Sequence, residues 1–325
     1  MRLDGTDPAA IASAAAALAA GELVAFPTET VYGLGARADD DAAVAQIFAL
    51  KGRPSEHPLI VHVADAADAQ QFCPAIPPLA QRLMDAFWPG PLTVIVPRAE
   101  RVARAAAGGQ ASIGLRCPAH PVAQALLRAT RGLGVAGVAA PSANRFGRIS
   151  PTQAAHVESE FGPLLRVLDG GACEVGIESS IVDCSRGRAV LLRPGVLTRE
   201  RIEAAAGEPL AEPDALAPRA PGTLESHYAP QAKLRLMTPG MLHTALQMLG
   251  ELPLGLAVYS RTVRPPAVGV RFRPMPNQPR QAAFELFATL RDLDADGVKL
   301  IWVEEPPPDP EWDGVRDRLQ RAAAP

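Results

Sequence analysis

The chain has 325 residues, with 33 prolines, 27 glycines and only 15 aromatic side chains. At 48% hydrophobic and 21% charged residues it can bury a core, which excludes wholesale disorder, and no collagen-like glycine period runs through it. A net charge of −3 argues against a globally basic nucleic-acid coat, and no apolar run approaches the ~18 residues that a membrane-spanning helix needs.

Asp7-Pro8 reads as an N-cap followed by proline at the first helical position, opening a helix through the alanine-rich run Ile11–Ala20. No basic cluster precedes that run, so it is read as a helix of a cytoplasmic protein and not as a signal peptide. Strands are then predicted at Glu22–Phe26, Leu59–Val63, Leu92–Val96, Ser112–Arg116, Gly137–Ala140, Leu165–Leu168, Ser179–Asp183 and Ala189–Leu192. The helices between them are predicted at Asp41–Leu50, Pro78–Phe87, Pro121–Ala129, Thr152–Phe161 and Thr198–Ala205. This is a mixed α/β or α+β domain over residues 1–206.

From 207 to 231 apolar periodicity vanishes and prolines crowd, which reads as a linker able to fold over a site as a lid. A smaller α/β domain follows over 232–325. It is predicted as strand Lys233–Met237, helix Gly240–Leu249, strand Leu254–Ser260, a short strand near Val268–Phe272, helix Gln281–Asp292, strand Val298–Val303 and a terminal helix Trp312–Ala322. That alternation suggests a parallel, Rossmann-like sheet, but without GxGxxG no dinucleotide site is inferred. The four cysteines (Cys73, Cys117, Cys173, Cys184) show neither CxxC pairing nor metal-ligand spacing and read as reduced structural thiols.

Phosphate-loop, HExxH and GxSxG motifs are absent. What stands out is a series of polar strand exits in the first domain. Pro27-Thr28-Glu29-Thr30 follows the first strand and offers hydroxyls and a carboxylate, although a capped turn is the plainer reading. Lys51-Gly52-Arg53 ends a helix, where cations ordinarily complement the dipole. Only three of the 32 basic residues are lysine, and a fork and a point charge side by side suit a polyphosphate. His62 alternates within an apolar strand, more often the place of a satisfied core histidine. Arg116 in the strand Ser112–Arg116 needs an anion, either a carboxylate of the protein or one of a ligand. Ala140-Pro141-Ser142-Ala143-Asn144 and Ser150 offer small residues and hydrogen-bonding groups, and Glu178-Ser179-Ser180 and Arg193 stand at two further strand ends. Together these exits favour one cleft for phosphate and carboxylate groups.

The same segments carry a resemblance. FPTETVYGLG (26–35), KGRPSEHPLIVHV (51–63), WPGPLT (88–93), GLRCPAHP (114–121), APSAN (140–144), VLDGG (167–171), ESSIV (178–182), LRPG (192–195) and PGTLESHYAP (221–230) occur in that order. They resemble the YrdC-type threonylcarbamoyl-AMP synthase family in its long, two-domain form. The resemblance implies a YrdC-like twisted mixed sheet with flanking helices and a nucleotidyltransferase reaction. In that reaction L-threonine, bicarbonate or CO2, and ATP give threonylcarbamoyl-AMP and pyrophosphate, for modification of the tRNA adenosine beside the anticodon. It further implies Lys51 and Arg53 as catalytic residues. Thr28, His62, Arg116, Ala140 and Ser180 would hold threonine. Lys51, Arg53, Ser112, Ser142, Asn144, Ser150, Arg193 and, from the linker, Tyr228 would hold ATP. Mg²⁺ is implied as riding on the triphosphate with no dedicated protein cage. The implied partners are a downstream tRNA threonylcarbamoyl-transferase complex and, more weakly, tRNA itself, with no membrane.

Two competing functions are weighed against this. An RNA-binding module is disfavoured by 19 basic against 20 acidic residues over 1–206 and 13 against 15 over 207–325. A carbamoyl-transfer maturation factor of the hydrogenase type, which the resemblance associates with zinc-finger-like cysteine clusters, finds no such cluster here.

Overall fold

In chain order the elements are β1 (Arg2–Asp4), α1 (Pro8–Ala19), β2 (Val24–Phe26), β3 (Gly33–Arg37), α2 (Asp41–Lys51), β4 (Ile60–His62), α3 (Pro78–Phe87), β5 (Leu92–Pro97), β6 (Ser112–Arg116) and α4 (Pro121–Gly132). Then follow β7 (Val138–Ala139), α5 (Ala154–Phe161), β8 (Arg166–Asp169), β9 (Ser180–Asp183), β10 (Val190–Arg193) and α6 (Arg199–Ala206). The remainder is β11 (Lys233–Met237), α7 (Pro239–Met248), β12 (Leu256–Ser260), β13 (Arg271–Pro274), α8 (Pro279–Ala295), β14 (Leu300–Glu304) and α9 (Asp313–Ala323). These come from a computed structural model that describes residues 1–224, 227–249, 255–265 and 270–324. Glu225 and Ser226 of the predicted lid, Leu254 of one predicted strand and Val268 and Gly269 of another lie outside the described residues.

Local chemistry explains most boundaries. Asp7 caps α1 by accepting the Ala9 amide, with Pro8 at the first turn, and Asp40 caps α2 through the Ala42 and Ala43 amides. Gly52 ends α2 at φ +64°, a left-handed cap that costs glycine little. Two strands were not predicted from sequence. β1 is three residues long, and β3 contains Gly33 and Gly35, which read as turn residues. Gly35 is in fact a packing position: a Cβ there would lie 2.8 Å from Val138 Cγ1 and 2.9 Å from the Phe26 ring.

By packing, the chain divides into two compact units, 1–146 with 150–223 and 147–149 with 224–325. In the first, ten strands form one mixed sheet in the order β1-β8-β2-β3-β7-β4-β6-β5-β9-β10. One buried cluster joins Leu18 of α1 to Val122, Leu126 and Leu127 of α4 against Phe26 and Leu168, and a second spans Val44, Ile47, Leu83, Val94, Leu115 and Val182. The proline-rich stretch is ordered in its first part. Leu210 joins the second of these clusters, and Ala220 packs with Ile60, Ile95 and Ile181. The second unit is a four-stranded, all-parallel sheet in the order β11-β14-β12-β13, with Leu242, Leu246, Val258 and Trp302 in one of its buried clusters.

Candidate active site

Several of the predicted polar segments meet in the first unit: the ends of β4 and β6, the start of β9 and the turn after β2. His62 and Arg116 are register partners on parallel β4 and β6. Both are buried, at 3% and 4% exposure. Alongside them the turn before β5 turns its carbonyls inward. Gly90 O faces Arg116 Nε at 3.4 Å, and Pro91 O accepts the Ser180 amide at 3.0 Å. Gly195 lets Ser180 come this close to the LRPG turn: a Cβ at 195 would lie 2.8 Å from Ser180 Oγ.

Arg116 has a protein counter-ion. Its Nη2 lies 2.8 Å from Oε1 of Glu29, itself only 6% exposed. The N–H bonds are not directed at that oxygen, so neither Nη2 nor Oε1 makes a hydrogen bond. His62 Nδ1 and Ser180 Oγ are likewise buried without a hydrogen-bond partner. Buried polar groups are normally satisfied, because an unmade bond costs about 1–3 kcal/mol. Four such atoms, on the turn after β2 and on β4, β6 and β9, offer unused hydrogen-bonding capacity to a small polar molecule. Burial, and then the charge of Arg116, push the His62 pKa down to about 3, so the imidazole is neutral at physiological pH.

Thr28 is committed to its own turn: the hydroxyl donates to Val31 O at 2.7 Å and accepts the Thr30 and Val31 amides. The plainer reading of a capped turn therefore holds for its hydroxyl, while the same turn carries Glu29 toward Arg116. Ala140 donates its amide to Ile60 O at 2.9 Å and packs against Gly33.

The cationic side is built around α2. Lys51, 3% exposed, donates from Nζ to the carbonyls of Ser142, at 2.7 Å, and Asn144, which ties the helix end to the APSAN turn. Burial, then Arg53, hold its ammonium well below the ordinary lysine value. Arg53 donates to Pro58 O and lies over the Phe146 ring at 5.6 Å. Ser150 donates to the buried carboxylate of Glu178. Arg193 spends its fork on Ser179 O, at 2.9 and 3.1 Å, and Pro221 O at 2.9 Å. Ser112 and Gly114 line a small cleft together with Pro58, Ile60, Ile181 and Arg219. Tyr228 belongs to the second unit. It sits at φ +62° with its ring 5.4 Å below the Arg318 guanidinium and 5.5 Å from Phe287.

Sequence reasoning raised Glu29 and Glu178 only as members of polar segments. The signal for Glu29 was present: an acid in one polar strand exit opposite an arginine inside another strand. All four cysteines are free and buried. Among the described residues no three His, Cys, Asp or Glu side chains gather as a metal cage, and no helix is long and apolar enough to cross a membrane.

Comparison with known proteins follows the same division. Residues 16–195 match the Sua5_yciO_yrdC family, described as Telomere recombination, and 197–324 match the family described as Threonylcarbamoyl-AMP synthase, C-terminal domain. The chain is 38% identical over 294 residues to the threonylcarbamoyl-AMP synthase of Pyrococcus abyssi, covering 87% of this chain and 85% of that one. It is 44% identical over 241 residues to the enzyme of the same name from Bacillus subtilis, covering 72% and 68%. The crystal structure of P. abyssi Sua5 complexed with L-threonine superposes with a TM-score of 0.88 at 34% identity, over 99% of this chain and 96% of that one.

Proposed function

The chain belongs to the threonylcarbamoyl-AMP synthase family, and from that premise we propose that its cleft joins L-threonine, bicarbonate or CO2, and ATP into threonylcarbamoyl-AMP with release of pyrophosphate. The observation that carries this reading is the set of buried, unsatisfied polar atoms on Arg116, His62 and Ser180, beside a separate cationic corner at Lys51 and Arg53.

In this reading Arg116 takes the threonine carboxylate, whose charge its buried guanidinium is placed to meet. Ser180 Oγ and the neutral His62 Nδ1 meet the side-chain hydroxyl, with Thr28 and Ala140 forming the wall. ATP is the co-substrate. Lys51 and Arg53 hold its phosphates, while Ser112, Ser142, Asn144, Ser150 and Arg193 orient the nucleotide. Two of the three Lys51 N–H bonds go to carbonyls, which fixes Nζ and leaves one directed elsewhere. These groups position two anions and neutralise the charge that develops on the transferring phosphoryl group, so no protein nucleophile is required. Mg²⁺ would be carried by the triphosphate, where it would offset phosphate charge. The product passes to a threonylcarbamoyl-transferase complex acting on tRNA in the cytoplasm.

The test is pyrophosphate release from ATP with each amino acid in turn, with and without bicarbonate. The reading expects release with L-threonine and bicarbonate together. Release that ignores bicarbonate would contradict it.

A further inference from the structure

Glu29 is the one charged member of the threonine seat to which that reading gives no task. Its backbone is held firmly, with the carbonyl accepting the Val175 amide at 2.7 Å and the adjoining turn closed by Thr28. Its Oε2 accepts the Ala119 amide at 3.1 Å. Its Oε1 is buried, 2.8 Å from Arg116 Nη2, and receives no hydrogen bond. The carboxylate is therefore aimed by its neighbours, and one of its oxygens is left as an acceptor without a donor.

We propose that Glu29 and Arg116 form a two-pole seat for a zwitterionic α-amino acid, with Arg116 receiving the carboxylate and Glu29 Oε1 receiving the ammonium. The inference deepens the proposed function and rests on its placement of threonine. Electrostatics gives it direction. A buried arginine alone attracts any anion, including the phosphates that must bind at Lys51 and Arg53. Paired with Glu29 it is net neutral and strongly dipolar, which suits a net-neutral, dipolar ligand and penalises a simple anion. An α-amino acid carries its opposite charges on adjacent carbons, and here the two protein charges lie in direct contact. Glu29 is thus a specificity residue as well as the counter-ion of Arg116.

The test uses the full chain and two ligands of matching shape, L-threonine and the 2,3-dihydroxybutanoate in which a hydroxyl replaces the ammonium. Calorimetric titration of the wild type should favour threonine by about tenfold or more, the scale of a charge-assisted contact. Glu29→Gln keeps an oxygen for the Ala119 amide and removes the charge. It should lower threonine affinity by a similar factor and leave the dihydroxy acid bound at least as tightly, so that the preference collapses. Equal weakening of both ligands would mean that Glu29 only props Arg116, and would overturn the inference, as would no change in either. If Glu29→Gln does not fold, Glu29→Asp carries the same comparison, because it keeps the charge but withdraws it from the seat. A wild type that binds no threonine would overturn the placement of threonine and this inference with it. A wild type that binds threonine, with no selective loss in the variants, overturns this inference alone.

Discussion

Two buried carboxylates, Glu29 in the first unit and Glu304 in the second, sit at strand ends beside an arginine, and their surroundings differ in one decisive respect. Glu304, fully buried at the end of β14, is saturated. It accepts from Ser260 Oγ, from the amides of Thr262 and Val263 and from Thr262 Oγ1, and pairs with Arg261 at 3.2 Å. Burial alone would push its pKa up, but these hydrogen bonds together outweigh it and leave the carboxyl below its ordinary value. Glu29 has one amide and a misaligned arginine. The saturated site organises the loop after β12, whereas the deficient one waits for a ligand. The contrast between these two carboxylates is one of hydrogen-bond satisfaction, not of burial or charge.

The difference can be broken by substitution, and the largest effect should come from the deficient site. Arg116→Ala unseats the threonine carboxylate and should lower threonine-dependent pyrophosphate release by at least about 100-fold in steady-state kinetics, in line with losing one partner of a buried charge pair. Because it also strands Glu29, it should cost stability as well. A rate within threefold of wild type would break the assignment. Glu304→Ala should act the other way. Losing its hydrogen bonds and leaving Arg261 unpaired should destabilise the full chain by about 3 kcal/mol in denaturant unfolding, while threonine affinity stays unchanged.

Smaller effects sharpen the same contrast. Ser180→Ala removes a hydroxyl that has no partner without ligand. It should leave unfolding within about 0.5 kcal/mol of wild type and weaken threonine about 5- to 10-fold, the value of one ordinary hydrogen bond. Acid should then separate the two regions. The folded His62 pKa, about 3, lies below its ordinary 6.5, so the unfolded chain binds the extra proton between these values. Stability from His62 is therefore present above pH 6.5 and falls as pH drops toward 3. Glu304, with its folded value below the ordinary 4.5, loses its contribution only at lower pH, as pH falls through that depressed value. In stability-versus-pH measurements His62→Gln should flatten the earlier limb and Glu304→Gln the later one.

Much of the fold was legible in the sequence because its local signals are strong. Proline at the first turn marks α3 and α4, Asp and Thr caps mark α1, α2 and α6, and short apolar runs mark the central strands. β3 escaped because Gly33 and Gly35 are demanded by the packing of Phe26, Val138 and Ala140, contacts that sequence alone does not show. In the site, polar strand exits could be recognised one at a time, and His62 and Arg116 among them stand side by side on β4 and β6. Their partners could not be read, because the fold, not proximity in the chain, brings Glu29 to Arg116 and Glu178 to Ser150. Tyr228 marks a further limit. Its stacking under Arg318 is made by α9, far downstream of the linker motif.

The most direct measurement is a crystal structure of the chain grown with L-threonine. The account predicts threonine with its carboxylate on Arg116, its ammonium on Glu29 Oε1 and its hydroxyl between His62 Nδ1 and Ser180 Oγ, so that each of these buried atoms gains a partner. Threonine bound elsewhere, or a seat in which those atoms stay unpaired beside it, would contradict the account.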